Sequence, residues 1–152
     1  MAAPIDWSAI ELCVDGDLFE VETNSVRWVS REGDASIWRA KAKELIGNRL
    51  KITLKSIATA EATTVDDVRD LIANPEELKI AAVYLTFHLI ASDKMKAPGD
   101  FYDTKARQYY QMYEDELGRA LQLINIDTDE SGTIEDSEKY NTPTGATIRL
   151  GG

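Results

Sequence analysis

Over most of this chain, apolar positions recur every three or four residues, which predicts a mainly helical fold. From Asp34 or Ser36, either of them a good N-cap, a helix is predicted through Ile37, Trp38, Lys41, Leu45 and Ile46, with Gly47-Asn48 as a candidate end. Leu50-Lys51-Ile52-Thr53-Leu54-Lys55 alternates with period two and fits either a continued helix or a strand. Thr64 with Asp67 three residues later is an N-cap signature for a short helix through Val65, Val68, Leu71 and Ile72. Asn74-Pro75-Glu76-Glu77 is a stronger one: Asn at the cap, Pro at the first helical position and acids in the first turn predict a helix from Pro75 to about Lys94.

The middle of that helix, Ile80 to Ala91, is apolar nearly all the way round. Interrupted by Thr86 and His88, it falls short of the roughly 20 residues a bilayer span needs. Either it is central to the fold, or one side of it meets another subunit. Pro98-Gly99 then breaks the chain and Asp100 can cap a last helix to about Ile124. Along it Phe101, Tyr109, Met112, Tyr113, Leu117, Ala120, Leu121 and Ile124 make one stripe for antiparallel pairing with the central helix.

The ends read differently. The first 33 residues hold short apolar pieces, Ile10 to Val14, Leu18 to Val21 and Val26 to Val29, and the alternation from Leu18 to Glu22 suggests a short strand or hairpin. Beyond residue 126 an acidic loop is followed by the breakers Asn141-Thr142-Pro143-Thr144-Gly145 and a β-prone tail, Ala146 to Leu150. The expected organisation is an extended or hairpin segment over 1–33, a helical bundle with a long antiparallel pair over 34–126, and a loop with an extended tail over 127–152.

Composition narrows the function. At 152 residues and 43% hydrophobic, with three Trp and six Tyr, the chain can bury a core without metal or disulfides. Cys13 is the only cysteine, so no disulfide or thiolate cluster forms within one chain, and a reducing compartment is the natural reading. Met1 to Asp6 lacks the basic-then-apolar pattern of a secretory signal. A net charge of −10 disfavours direct binding to DNA or an anionic membrane and suits a surface that DNA slides past. The charge is polarised: residues 1–34 carry 8 acids and 2 bases, residues 35–60 carry 1 acid and 6 bases.

The sharpest chemical pattern is the twelve-residue loop from Asp127 to Glu138. Alternate oxygen ligands can converge on one hard cation while a glycine permits the sharp turn. In that frame Asp127, Asp129, Ser131, Thr133 through its carbonyl, Glu135 and Glu138 are the candidate ligands, Gly132 takes the sixth position and Ile134 the apolar eighth. The incoming helix is present, but the exit meets Asn141 and Pro143, and no second such loop exists. Bound Ca2+ here would fix the direction of the tail; the competing reading is an acidic, solvated turn.

Catalytic constellations are weak by comparison. His88 sits in the most apolar helix and reads as packed, and Cys13 reads as a small core residue. Asp66-Asp67 and Glu114-Asp115-Glu116 read as solvated faces, and Tyr109, Tyr110 and Tyr113 as helix packing rather than a ligand groove. No phosphate-binding loop is present, and the expectation is a protein that is not an enzyme.

Taken in order, the Trp38 helix, Leu78 to Tyr84, Lys105-Ala106 leading to Tyr109, Tyr113, Leu117 and Ala120-Leu121, the Asp127-x-Asp129-x-Ser131-Gly132 turn and the Ile148-Arg149-Leu150 ending resemble the head-tail connector, or adaptor, proteins of the neck of tailed bacteriophages. The resemblance covers roughly residues 35–150; the first 33 match nothing in that family. It implies a virion protein, assembled in the host cytoplasm into a homo-oligomeric ring, commonly of twelve subunits. That ring would dock on the portal protein and on the next neck or tail component, with DNA passing through and no sequence-specific nucleic-acid binding. It also implies that the tail after Pro143 docks on the portal. The rival reading is a small calcium-binding protein of the EF-hand type, favoured by the loop and disfavoured by its solitude.

Overall fold

A computed structural model describes residues 6–22, 35–55 and 68–126. They form four α-helices, α1 (Asp15–Val21), α2 (Ser36–Thr53), α3 (Lys79–Lys94) and α4 (Phe101–Leu123), with single 3-10 turns at Val68–Leu71 and Pro75–Leu78. The protein is mainly helical, as the spacing of its apolar residues requires.

The stretch Leu18 to Val21 is helix rather than strand. The Asp17 carboxylate accepts the Val14 N–H at 2.8 Å and the Val14 carbonyl accepts the Asp17 N–H at 3.0 Å, so the first turn is closed before the alternating residues begin. Asp15 and Asp17 also place negative charge where the helix dipole favours it. Of the apolar side chains in α1 only Leu18 is buried, so the alternation serves no sheet.

The Ala35 carbonyl accepts the Arg39 N–H at 2.9 Å, which makes Ser36 the first helical residue of α2 rather than its cap. Gly47-Asn48 does not end this helix. Ala42, Ile46, Leu50 and Leu54 are all buried, a run of four-residue steps that carries the helix to Thr53 and resolves the ambiguous stretch. Gly47 serves close approach instead: a Cβ there would lie 3.1 Å from the Trp7 indole nitrogen and would overlap the Arg69 guanidinium.

The helix expected from Thr64 appears only as its last part, the turn Val68–Leu71, the rest lying outside the described residues. Pro75 opens the next element as predicted, with one 3-10 turn before α3. In α3 Ala81, Ala82, Val83, Leu85, Thr86, Phe87, Ile90 and Ala91 are buried, and Ile80, Tyr84, His88 and Leu89 are half-buried. The all-round apolar helix is thus central to the fold, covered by its own chain.

The connection to α4 is built by two aspartates. Asp100 accepts from the Lys96, Ala97 and Asp103 N–H groups at 2.9, 3.2 and 2.8 Å, which caps α4 and holds its carboxyl below the usual range. Buried Asp103 accepts the N–H of Gly99, whose φ of 85° is left-handed and suits glycine. Residues at comparable distance from this connection meet, Tyr84 and Phe87 with Tyr109 and His88 with Ala106, so α3 and α4 pair antiparallel. The α4 stripe is Ala106, Tyr109, Tyr113, Leu117, Ala120 and Ile124; Phe101, expected in it, is exposed, because the buried face of the helix runs through Asp103, two residues on.

The chain divides into two compact units, one of Met1–Ile10, Gly47–Glu77 and Arg119–Gly152, the other of Glu11–Ile46 and Leu78–Gly118. The first holds Trp7, whose backbone N–H donates to Asp70 at 2.8 Å and whose ring lies 5.4 Å from the Arg69 guanidinium. In the second, α1 packs on α3 and Lys79 lies 3.6 Å from Asp17.

Candidate functional site

The acidic loop begins where the structure has a well-built exit from α4. Leu123 ends the helix with a carbonyl that has no partner within it. The Asn74 side-chain amide donates to that carbonyl at 2.8 Å, and its oxygen accepts the Asn125 N–H, also at 2.8 Å. The Ala73 N–H donates to the Asn125 carbonyl at 2.9 Å, and Ile72 and Ile126 form an antiparallel bridge. Ile124 and Ile126 are both fully buried. An amide carries a donor and an acceptor, so Asn74 acts here as a strand partner would.

The Asn74 side chain is therefore not the cap of its own helix. Asn74 contributes to the start of its own helix only through its backbone carbonyl, which accepts the Glu77 N–H at 3.2 Å. Its side chain is committed some fifty residues away, a contact that no local pattern announces.

The candidate ligands Asp127, Asp129, Ser131, Thr133, Glu135 and Glu138 lie outside the described residues, as do Asp66-Asp67 and the tail from Ala146 to Leu150. Among the described residues no group of three or more His, Cys, Asp or Glu side chains is arranged to hold a metal. No helix among them is long and apolar enough to cross a membrane.

The other singled-out groups take packing roles. His88 Nδ1 lies 2.8 Å from the Ala106 carbonyl oxygen. Since a carbonyl only accepts, Nδ1 carries the proton and donates. The ring rests 4.9 Å from that of Tyr110. Cys13 is buried, and burial pushes its thiol up to about 11, against the smaller opposing pulls of a hydrogen bond with Thr86 and the charge of Arg39. A thiol held protonated is a poor nucleophile.

Tyr109 and Tyr113 are buried and Tyr110 is partly exposed. Tyr109 stacks on Phe87 at 4.9 Å and donates its hydroxyl to Glu22 at 3.1 Å; burial, then the Glu22 charge, raises its pKa. Lys105 approaches the same carboxylate at 3.7 Å and lies 5.8 Å from the rings of both Tyr109 and Phe101. On α4, Asp115 is exposed and accepts from Gln111 at 3.0 Å. Its neighbours Glu114 and Glu116 point elsewhere round the helix, as adjacent helical positions must.

Arg39 is a structural residue that no local pattern singles out. Its guanidinium binds Asp15 at 2.9 Å, Glu11 at 3.2 Å and the Cys13 carbonyl at 3.2 Å, tying the segment before α1 to α2. Burial lowers its pKa, but Asp15 and Glu11 more than offset that and leave it raised. Comparison with protein-family models, with curated proteins and with solved structures found no match.

Proposed function

We propose that this chain is a structural subunit of the neck of a tailed bacteriophage virion, an adaptor that forms a ring between the portal and the next neck or tail component and leaves a conduit for DNA. The observation that carries the reading is the order of its features. Trp38 stands on α2, Leu78 to Tyr84 lead into α3, Lys105 to Leu121 lie on α4, and the acidic turn and β-prone ending follow. The net charge of −10 supports passage of DNA without capture. The tail after Pro143 is the segment suited to docking on the portal, by adding a strand to an exposed sheet edge.

The spacing from Asp127 to Glu138 favours a second reading, a calcium-binding protein of the EF-hand type. Light scattering with and without calcium, on the chain alone and mixed with a portal ring, separates the two. An adaptor assembles by itself or on the portal whatever the calcium level. A strict monomer that changes markedly on adding calcium would sink the adaptor. Calorimetry addresses the loop itself: binding heat in the native chain that vanishes in Asp127→Ala/Glu138→Ala establishes a cation site, and no heat at about millimolar calcium leaves only a turn.

A further inference from the structure

In the unit formed by Glu11–Ile46 and Leu78–Gly118, two surfaces leave large apolar side chains in water. On α2 Ile37 is 75% exposed and Leu45 38%, with exposed Lys41 midway between them. Four-residue steps put all three on one stripe, turned away from the side that buries Ala42 and Ile46. On α1 Phe19 is 50% and Val21 37% exposed, flanking exposed Glu20. Phe101, 59% exposed, adjoins the end of α1 through Lys105, which lies against both its ring and Glu22.

The two surfaces are matched in charge as well as in apolar content. Residues 36–53 carry five bases and one acid, whereas residues 11–22 carry five acids and no base. Arg39, Asp15, Asp17 and Glu22 are already engaged within the chain. Among the described residues neither Lys41 nor Glu20 has an ion partner. An exposed apolar stripe with an unpaired cation, and an exposed apolar patch with an unpaired anion, each supply what the other lacks.

We propose that these are the two halves of one contact between copies of this chain: the Ile37–Lys41–Leu45 stripe of one copy seats on Phe19, Glu20, Val21 and Phe101 of the next, with Lys41 paired to Glu20. Made once between each pair of neighbours, a contact of unlike halves is head-to-tail and repeats, closing into a ring when the rotation between neighbours divides a full turn. The apolar side chains anchor its centre, where most of the affinity of an interface resides. Glu44, beside Lys41, falls at the rim, where a charge contributes little. The proposal deepens the ring reading and rests on it for closure, but the contact is testable without any portal.

Sedimentation velocity of the full chain alone supplies the test. The native chain should associate as its concentration rises, and Ile37→Asp/Leu45→Asp should stay monomeric with an unchanged helical circular dichroism spectrum. Lys41→Glu and Glu20→Lys should each weaken association about tenfold, and their combination should restore it to within about threefold of native. A native chain that is monomeric up to about millimolar concentration, or a charge swap that rescues nothing, overturns the contact. If the chain associates as described but never binds a portal, the adaptor reading fails and the contact stands. If it is monomeric alone yet assembles on a portal, the contact fails and the adaptor stands.

Discussion

Each of the two units of this chain is held together internally in its own way. In the unit of Glu11–Ile46 and Leu78–Gly118, an apolar helix is wrapped by its neighbours and Phe87 stacks on Tyr109 in its core, with half-buried Tyr84 tilted against Tyr109. In the other, three separated pieces of chain meet through a few specific groups: Trp7 with Asp70 and Arg69, Asn74 with Leu123 and Asn125, Ile72 with Ile126. Stability spread over many apolar contacts tolerates polar change and resents lost volume. Stability that rests on a few directed bonds between distant residues is vulnerable at single atoms.

Substitutions can break that contrast. Phe87→Ala should be the most damaging, lowering stability by about 3–5 kcal/mol in urea unfolding, since it removes a fully buried ring from the aromatic stack. Gly47→Ala should cost about 1–3 kcal/mol by driving a methyl group into Trp7 and Arg69. Gly118→Ala, with open space around it, should instead gain about 0.5–1 kcal/mol. A loss there, or neutrality at Gly47, would mean that glycine matters for reasons other than space.

Alkaline pH should act through the aromatic unit. The Cys13 thiol keeps its proton to about 11 in the folded chain against an ordinary 9.0. The folded pKa is the higher, so the linked stability is fully present below pH 9.0 and is lost as pH rises through about 11, at most about 3 kcal/mol. Tyr109, also raised, acts in the same sense at higher pH. Cys13→Ala should flatten the fall of the urea midpoint between pH 9 and 11; an unchanged slope would place its origin elsewhere. Asn74→Ala should cost about 1–2 kcal/mol, with faster hydrogen exchange at the Asn125 amide. Exchange at Asn125 as slow as in the native chain would show that the bridge holds without the amide.

The same contrast explains what the sequence made legible. The α3 and α4 helices could be read from Asn74-Pro75-Glu76-Glu77, from Asp100 and from a stripe with helical spacing, because caps and periodicity are local. Leu18 to Glu22 misled because alternation ignores which residues find a buried face, and only Leu18 did. Gly47 looked like a terminator because nothing nearby in sequence shows that Trp7 and Arg69 crowd it. The candidate cation loop was legible as a spacing, whereas the Asn74 clamp at its entrance depends on residues about fifty positions away. The acids that engage Arg39 lie far from it along the chain, which periodicity does not record.

Trp7 belongs to one unit and Trp38, whose indole donates to Asp93, to the other. With Trp28 replaced by phenylalanine, each unit retains a single tryptophan, and the two sit in unlike surroundings, one against a guanidinium and one against a carboxylate. Emission followed during unfolding in Trp7→Phe and Trp38→Phe versions of that protein would then tell, without any attached label, whether the two parts melt in one cooperative event or in succession.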